Sequence, residues 1–351
     1  MPRHNDITKA RILLFKTGAI GDTIMTTPLV RQLKKAYPHA EIDYMIGNVA
    51  SQVLEGNPHI DKIIRFDPNT FFKSRLFEWL RLIDTIKKGH YNMIIILDKH
   101  WTFNLTAFLT GIKRRVGFDR LGKEGIFLTD SVYYGNDKHE IYYYLDILEA
   151  MDIKPDYKDW KTELFINPED KKFADKVWKK YALSKNSVIA IAPGGGKNAG
   201  EKTEYRNWPK EKYAELTKSL AKKHSIILLG LKEDLEKTDY ILESLKKYDT
   251  TSKIISLSGR CSIKQSAAII QKCHCLVCND TGIMHIGGAV NKRVISIFGP
   301  TRPDRKAPLW KESRSIWKDK KNYEEIYEIY GIKSDKKFME DISINDVLKC
   351  I

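Results

Sequence analysis

Arg11-Ile12-Leu13-Leu14-Phe15-Lys16-Thr17-Gly18-Ala19-Ile20-Gly21-Asp22 decides the fold class. The run from Ile12 to Phe15 is apolar without alternation and too short for a helix, which is the pattern of a strand buried on both faces. Two glycines and an acidic residue follow, then a stretch of helical periodicity from about residue 22 to 36. Strand, glycine turn and helix in that order begin a βα unit, and such units build parallel sheets. Working outward, further strands are expected at 42–46, 63–66 and 93–97. A helix is expected over 73–88, where Leu76, Leu80, Ile83 and Ile86 recur at helical spacing.

The same alternation returns later in the chain. Strands are expected at 188–192, 226–229, 254–257, 275–278 and 294–298, with helices at 168–181, 210–223, 234–246, 263–272 and 282–290. Between the two series, the stretch 152–161 turns polar around Pro155. The expected organisation is therefore α/β, with two Rossmann-like domains, 1–160 and 161–351. A length of 351 residues suits two domains. The charged stretch 301–340 receives no assignment. The segment 342–351 reads as a terminal helix with Ser343 near its start, belonging to the second domain or packing back on the first.

Apolar residues make up 42% and charged residues 30% of the chain, a globular composition. The formal charge of +15 favours polyanionic partners: nucleic acid, an anionic membrane face or phosphorylated substrates. Part of it is lysine on helix faces, such as Lys171, Lys172, Lys179 and Lys180, which serves solvation. Cys273, Cys275 and Cys278 have a spacing that suggests metal, but Cys275 opens the apolar run Cys-Leu-Val-Cys and only His274 lies near as a fourth ligand. These cysteines read as buried small hydrophobes, with no metal site. Five unpaired cysteines, no signal-like N-terminus and no apolar run approaching about 18 residues lead to the expectation of a cytoplasmic protein.

Four constellations follow expected strands directly. Gly18-Ala19-Ile20-Gly21-Asp22 lacks the third glycine of a dinucleotide fingerprint and the Lys-Ser/Thr of a P-loop. Its Asp22 suits two roles, a helix N-cap or a carboxylate that takes a proton from a hydroxyl. Pro193-Gly194-Gly195-Gly196-Lys197 implies close backbone approach to a ligand, with Arg206-Asn207-Trp208-Pro209 shortly after. Asn279-Asp280-Thr281-Gly282-Ile283-Met284-His285 places a hydroxyl and free N–H groups at a helix N-terminus, where a phosphate is received, or else forms a capped helix with a satisfied histidine. Phe298-Gly299-Pro300-Thr301 ends the last expected core strand. Ligands of open α/β sheets bind beyond the carboxyl ends of strands, where all four lie.

Together these residues resemble the heptosyltransferase family, glycosyltransferase family 9, over about residues 11–308. The resemblance rests on Gly18-Ala19-Ile20-Gly21-Asp22 with Thr27-Pro28 and Leu33-Lys34, on Pro193-Gly194 with Trp208-Pro209, and on Asp280-Thr281-Gly282-x-x-His285 with Ala289 and Phe298-Gly299-Pro300-Thr301. It implies the GT-B fold, two Rossmann-like domains facing a central cleft, with the acceptor bound by the first and the nucleotide-sugar by the second. It further implies inverting transfer of heptose from ADP-heptose onto the lipopolysaccharide inner core. By that resemblance Asp22 is the base, and Gly18 and Gly21 shape the acceptor-side loop. Thr281 and Gly282 hold the diphosphate, Asp280 the sugar hydroxyls, and Arg206 neutralises the leaving phosphates. Gly194, Glu233 and His285 complete the donor side.

No cofactor is expected. A metal-free reaction agrees with the absence of any D-x-D triplet from the sequence. The implied acceptor is an anionic lipid-linked saccharide at the inner leaflet. Lys113, Arg114, Arg115, Arg120 and Lys123 would face its charges, and the stretch from Phe71 to Trp79 would rest on the interface, unless these are ordinary core and exposed face. A GT-B transferase or epimerase using a UDP-sugar is the alternative enzyme. A nucleic-acid-binding protein accounts for the charge but not for the glycine turns, and no helix-turn-helix, zinc or RNA-binding motif is present; nucleic acid is therefore not an expected partner.

Overall fold

The computed structural model describes residues 10–73, 75–120, 122–183, 187–195, 206–248, 253–318 and 339–351. The chain divides into two compact units, Met1–Phe165 and Ile166–Ile351. The first contains β1 (Arg11–Lys16), α1 (Ile20–Met25), α2 (Thr27–Ala36), β2 (Glu41–Gly47), β3 (Lys62–Phe66), α3 (Asn69–Phe72), α4 (Leu76–Lys88), β4 (Met93–Ile96), α5 (Trp101–Leu109), β5 (Arg114–Arg120), β6 (Asp130–Tyr134) and α6 (Glu140–Glu149). The second contains α7 (Pro168–Lys180), β7 (Val188–Ala192), α8 (Lys210–Ala221), β8 (Ser225–Leu228), α9 (Leu235–Leu245), β9 (Ile254–Ser256), α10 (Ile263–Lys272), β10 (Cys275–Asn279), α11 (Gly282–Ala289), β11 (Arg293–Phe298), α12 (Pro303–Lys306), β12 (Arg314–Trp317) and, last, α13 (Ile344–Leu348).

Each unit is built on a six-stranded parallel sheet, ordered β3-β2-β1-β4-β5-β6 in the first and β12-β11-β10-β7-β8-β9 in the second. Counted within its own unit, each order is the doubly wound 3-2-1-4-5-6. The apolar runs are central strands because both their faces are covered. Ile12, Leu13, Leu14 and Phe15 have no solvent exposure, and Leu13 and Phe15 pack on Leu82, Ile86, Phe103 and Ala107 of α4 and α5. Each such side chain contributes about 1.5–3 kcal/mol by leaving water. In the second unit Ile189 and Ile191 of β7 meet Tyr213, Leu216 and Leu220 of α8.

The unit boundary lies a few residues beyond the expected 160, because the polar segment before it is bound to α2. The half-buried face of that segment meets Arg31, which bonds Asp159 Oδ1 at 2.7 Å, Glu163 Oε1 at 2.7 Å and Lys161 O at 2.9 Å. Gln32 donates to Asp156 O at 2.9 Å, and Glu163 N donates to Thr27 Oγ1 at 2.9 Å.

The terminal helix α13 belongs to the second unit, where it packs on α8. Val347 and Ile342 are fully buried in that core, and Trp208 Nε1 donates to Ile342 O at 3.0 Å. Three strands escaped the sequence: β5, whose run Arg-Arg-Val-Gly-Phe-Asp-Arg is charged at both ends, and the edge strands β6 and β12. Half of the charged stretch 301–340, residues 319–338, lies outside the described residues. Cys273, Cys275 and Cys278 are free and buried, the last two within β10, and burial pushes their thiol pKa values up. Among the described residues no helix is long and apolar enough to cross a membrane.

Asn279, fully buried at the end of β10, ties the second unit together. Its Nδ2 donates to Pro193 O at 3.2 Å and Gly194 O at 3.0 Å, while its Oδ1 accepts from Tyr213 OH at 2.9 Å and Trp208 N at 3.3 Å. Asn279→Ala strands several buried groups at once, so it is expected to cost about 2–4 kcal/mol and to lower the melting transition of this unit by about 5–15 °C. A calorimetric scan that shows no shift would contradict this assignment.

Candidate functional site

At the carboxyl ends of β1 and β4, where the first sheet reverses its winding, charged side chains gather in the interior. Asp98 lies just past β4, opposite Thr17. Its Oδ2 accepts from Thr17 N at 2.5 Å, and its Oδ1 pairs with Lys16 Nζ at 3.2 Å. Lys16 is buried. Burial alone would lower its pKa, but the carboxylates of Asp98 and then Asp22 outweigh burial and raise it above the ordinary 10.5. The next residue, Lys99, pairs with the buried Glu140 and lies 4.4 Å over the Tyr134 ring. Burial opposes its charge too, and Glu140, Tyr144 and Asp22 together raise its pKa. Tyr144 lies close to both lysines, Lys16 5.7 Å and Lys99 5.6 Å from its ring centroid.

Asp22 is therefore within electrostatic reach of two buried ammonium groups. It is not the helix cap: Ala19 holds the N-cap position of α1, and Asp22 sits in the first turn. The long helix expected from residue 22 is two helices, α1 and α2, with Pro28 at the start of the second. Gly18 makes the turn possible. Its φ of 108° is open to glycine, and a Cβ there would come within 2.9 Å of Ala50 Cβ. Gly21 is buried in α1. Gly18, Gly21 and Asp22 thus share one loop and helix start. Sequence reasoning missed Asp98, Lys99, Glu140 and Tyr144 around them. The signal for the first two was present, since they directly follow a strand at the same sheet edge.

In the second unit the expected residues gather at the carboxyl ends of β7, β8, β10 and β11. A Cβ on Gly194 would meet Asp234 Oδ1 at 2.2 Å, so the glycine makes space for Asp234, which also accepts from Leu231 N at 2.9 Å. Gly195 likewise makes room for Asn207, on which Lys237 Nζ donates at 2.8 Å. Gly196 and Lys197 lie outside the described residues. Glu233, beside Asp234 in the turn Lys232–Asp234, is exposed. Arg206 is half-buried and directly precedes Asn207.

Asp280 is buried, and its Oδ2 accepts from Thr301 Oγ1 at 2.6 Å, linking the ends of β10 and β11. Thr281 is the N-cap of α11 in extended backbone, with no cap bond from its side chain, and Gly282 is the first helical residue. The first N–H groups of α11 thus carry the positive end of a helix dipole, suited to an anion. His285 is buried one turn further on. Trp208, of the Trp-Pro pair, is a core residue against Tyr213.

Three of the five basic residues expected to face an acceptor have partners in the fold. Arg114 pairs with Asp130 at 3.4 Å and Arg120 with Glu124 at 2.6 Å, while Arg115 donates to the carbonyls of Phe127 and Ile112. Of the expected interfacial stretch, Phe71 is half-buried against the core, its ring 4.7 Å from Phe103 and 6.0 Å from Phe15.

Asp98→Ala would leave Lys16 without its closest counter-charge and is expected to cost about 3–5 kcal/mol at neutral pH by urea unfolding. Because the folded-state pKa of Lys16 is raised, the stability from its pairing is complete below pH 10.5 and lost as pH rises through the folded value. The gap between wild type and variant should therefore hold across neutral pH and narrow only in the alkaline range. A gap that closes near neutrality contradicts the assigned pairing.

Residues 79–329 match the model of glycosyltransferase family 9 (heptosyltransferase). The chain is 25% identical over 316 residues to lipopolysaccharide heptosyltransferase 2 of Salmonella typhimurium, covering 87% of each chain. Among solved structures it is similar to the family 9 glycosyltransferase of Veillonella parvula, with a TM-score of 0.78 at 22% identity, covering 97% of this chain and 95% of that one. It is also similar to the E. coli ADP-heptose lps heptosyltransferase II, with a TM-score of 0.75 at 22% identity and 97% of both chains covered. The fold is accordingly α/β of the GT-B type.

Proposed function

Since the chain belongs to glycosyltransferase family 9, we propose that it transfers heptose from ADP-heptose to the lipopolysaccharide inner core, with inversion and without a metal ion. It is a glycosyltransferase; the relatives named above support heptose as the sugar, ADP as its carrier and lipopolysaccharide as the acceptor. Such an acceptor is lipid-linked and anionic, which sets the work at the cytoplasmic face of the inner membrane.

The seat of Asp22 carries the reading. A carboxylate in the first turn of α1, near enough to Lys16 and Lys99 to help raise their pKa values, has the chemistry of a general base. In the proposed step Asp22 takes the proton of an acceptor hydroxyl as that oxygen attacks the anomeric carbon. The bond from that carbon to the diphosphate breaks, and ADP departs with the bonding electrons. Its growing charge needs stabilisation, which the N–H groups of Thr281–Gly282 at the start of α11 and the guanidinium of Arg206 supply. Asp280 and His285 line the donor sugar, Gly194 shapes the turn beneath it, and Glu233 contacts the nucleoside.

Asp22→Asn is expected to lower kcat by about 10²–10⁴-fold while ADP binding is kept. Turnover within a few-fold of wild type would remove Asp22 from the base role. Arg206→Ala is expected to weaken ADP binding by about tenfold, or about 1.4 kcal/mol, in a titration without metal. Unchanged affinity would return Arg206 to a surface charge.

A further inference from the structure

Among the described residues, the first unit exposes a set of apolar side chains on neighbouring elements. Helix α5, Trp-Thr-Phe-Asn-Leu-Thr-Ala-Phe-Leu, has no charged residue on any face, unlike an ordinary surface helix. Here Phe103, Asn104, Thr106 and Ala107 are buried, whereas Trp101, Phe108 and Leu109 are exposed. On α4 the buried residues are Leu82, Ile83 and Ile86, and the first turns expose Leu76, Phe77 and Leu80, with Phe77 84% accessible. Ile126, in the turn Gly125–Phe127, is also 84% accessible. The pieces adjoin. Trp79 Nε1 donates to Thr106 Oγ1 at 2.8 Å, joining α4 to α5, and the rings of Phe108 and Phe127 are 5.5 Å apart, joining α5 to the turn. Exposed apolar residues scattered singly are ordinary, but a connected set of this kind marks a surface that meets something.

Its charge says what. Residues 67–127 hold eleven Lys and Arg against six Asp and Glu. Lys73, Arg81, Lys113 and Lys123 are exposed around the patch, as is Arg75, which pairs with Asp67 at 3.3 Å. The exposed acids on α4 are paired within the helix region, Glu78 with Arg75 at 3.8 Å and Asp84 with Lys88 at 2.6 Å. A second copy of a chain carrying +15 is a poor complement to such a rim, whereas a sheet of lipid phosphates is a good one.

We propose that the outer faces of α4, α5 and the turn Gly125–Phe127 dock the protein on an anionic lipid leaflet. Phe77, Leu80, Phe108 and Ile126 enter the boundary between headgroups and acyl chains, and the lysines and arginines meet the phosphates. The inference deepens the proposed function, because it rests on a lipid-linked acceptor as the reason to work at a leaflet.

The test is sedimentation of the full chain with vesicles of phosphatidylcholine and phosphatidylglycerol at about 3:1, and with phosphatidylcholine alone. Wild type is expected to bind the mixed vesicles, to bind them less as salt rises, and to bind phosphatidylcholine weakly. The double variant Phe77→Ser, Ile126→Ser changes two exposed side chains and is expected to lose at least about tenfold in vesicle affinity. Its solution mass and its thermal response to ADP should match wild type. Equal binding by the variant, or no vesicle binding by wild type, overturns the proposal. So does a wild-type dimer that the substitutions dissociate, since the patch is then an interface between copies. Vesicle binding that survives in a protein unresponsive to ADP supports the docking surface and overturns the donor assignment alone.

Discussion

Where a doubly wound sheet reverses its winding, the crossovers leave two neighbouring strands in different directions, and a crevice opens at their carboxyl ends. In each unit one side chain bridges those ends, at the same register position. In the first, Asp98 follows β4 and bonds the backbone of Thr17, the first residue past β1. In the second, Asn279 ends β10 and bonds the carbonyl of Pro193, the first residue past β7. Each bridge holds the loop on which the candidate chemistry stands: 17–22 with Asp22, and 193–195 with the turn that packs on Asp234.

The two bridges differ in charge, and so do their surroundings. Asp98 brings a buried lysine with it, and Lys99 and Glu140 extend the pairing inward. Separating such buried charges is costly, which favours a fixed arrangement around Asp22. Asn279 is neutral and saturates its hydrogen bonds with backbone and Tyr213. Next to it, Asp280 is occupied by Thr301, and the positive character at that edge comes from the start of α11. A carboxylate among fixed charges suits proton transfer, and a helix start suits a departing phosphate.

Much of this was legible in the sequence. Runs such as Ile12–Phe15 and Cys275–Cys278 read as central strands because burial on both faces leaves no polar residue in them. β5 did not, since its arginines belong to strand ends where Asp130 and backbone carbonyls receive them, and the edge strands β6 and β12 carry too little apolar content. Asp22 was legible as a special residue but not as distinct from a cap, because a cap is decided by backbone angles at Ala19. Gly194 signalled close approach without saying to what, and Asp234 is forty residues away. Helical periodicity on α4 located a buried stripe, but it gave no sign that Leu76, Phe77 and Leu80 stay uncovered, which depends on where the neighbouring elements end.

The donor site is tested most directly by thermal unfolding with ADP, UDP or GDP in the presence of a metal chelator. A nucleotide at about 100 times its Kd stabilises by about 2.7 kcal/mol, or about 5–10 °C in a unit of this size. Metal-independent use of an ADP-sugar requires that ADP raise the transition by this amount and that UDP and GDP leave it nearly unmoved. An equal or larger response to UDP or GDP, or an ADP response that the chelator abolishes, would contradict it.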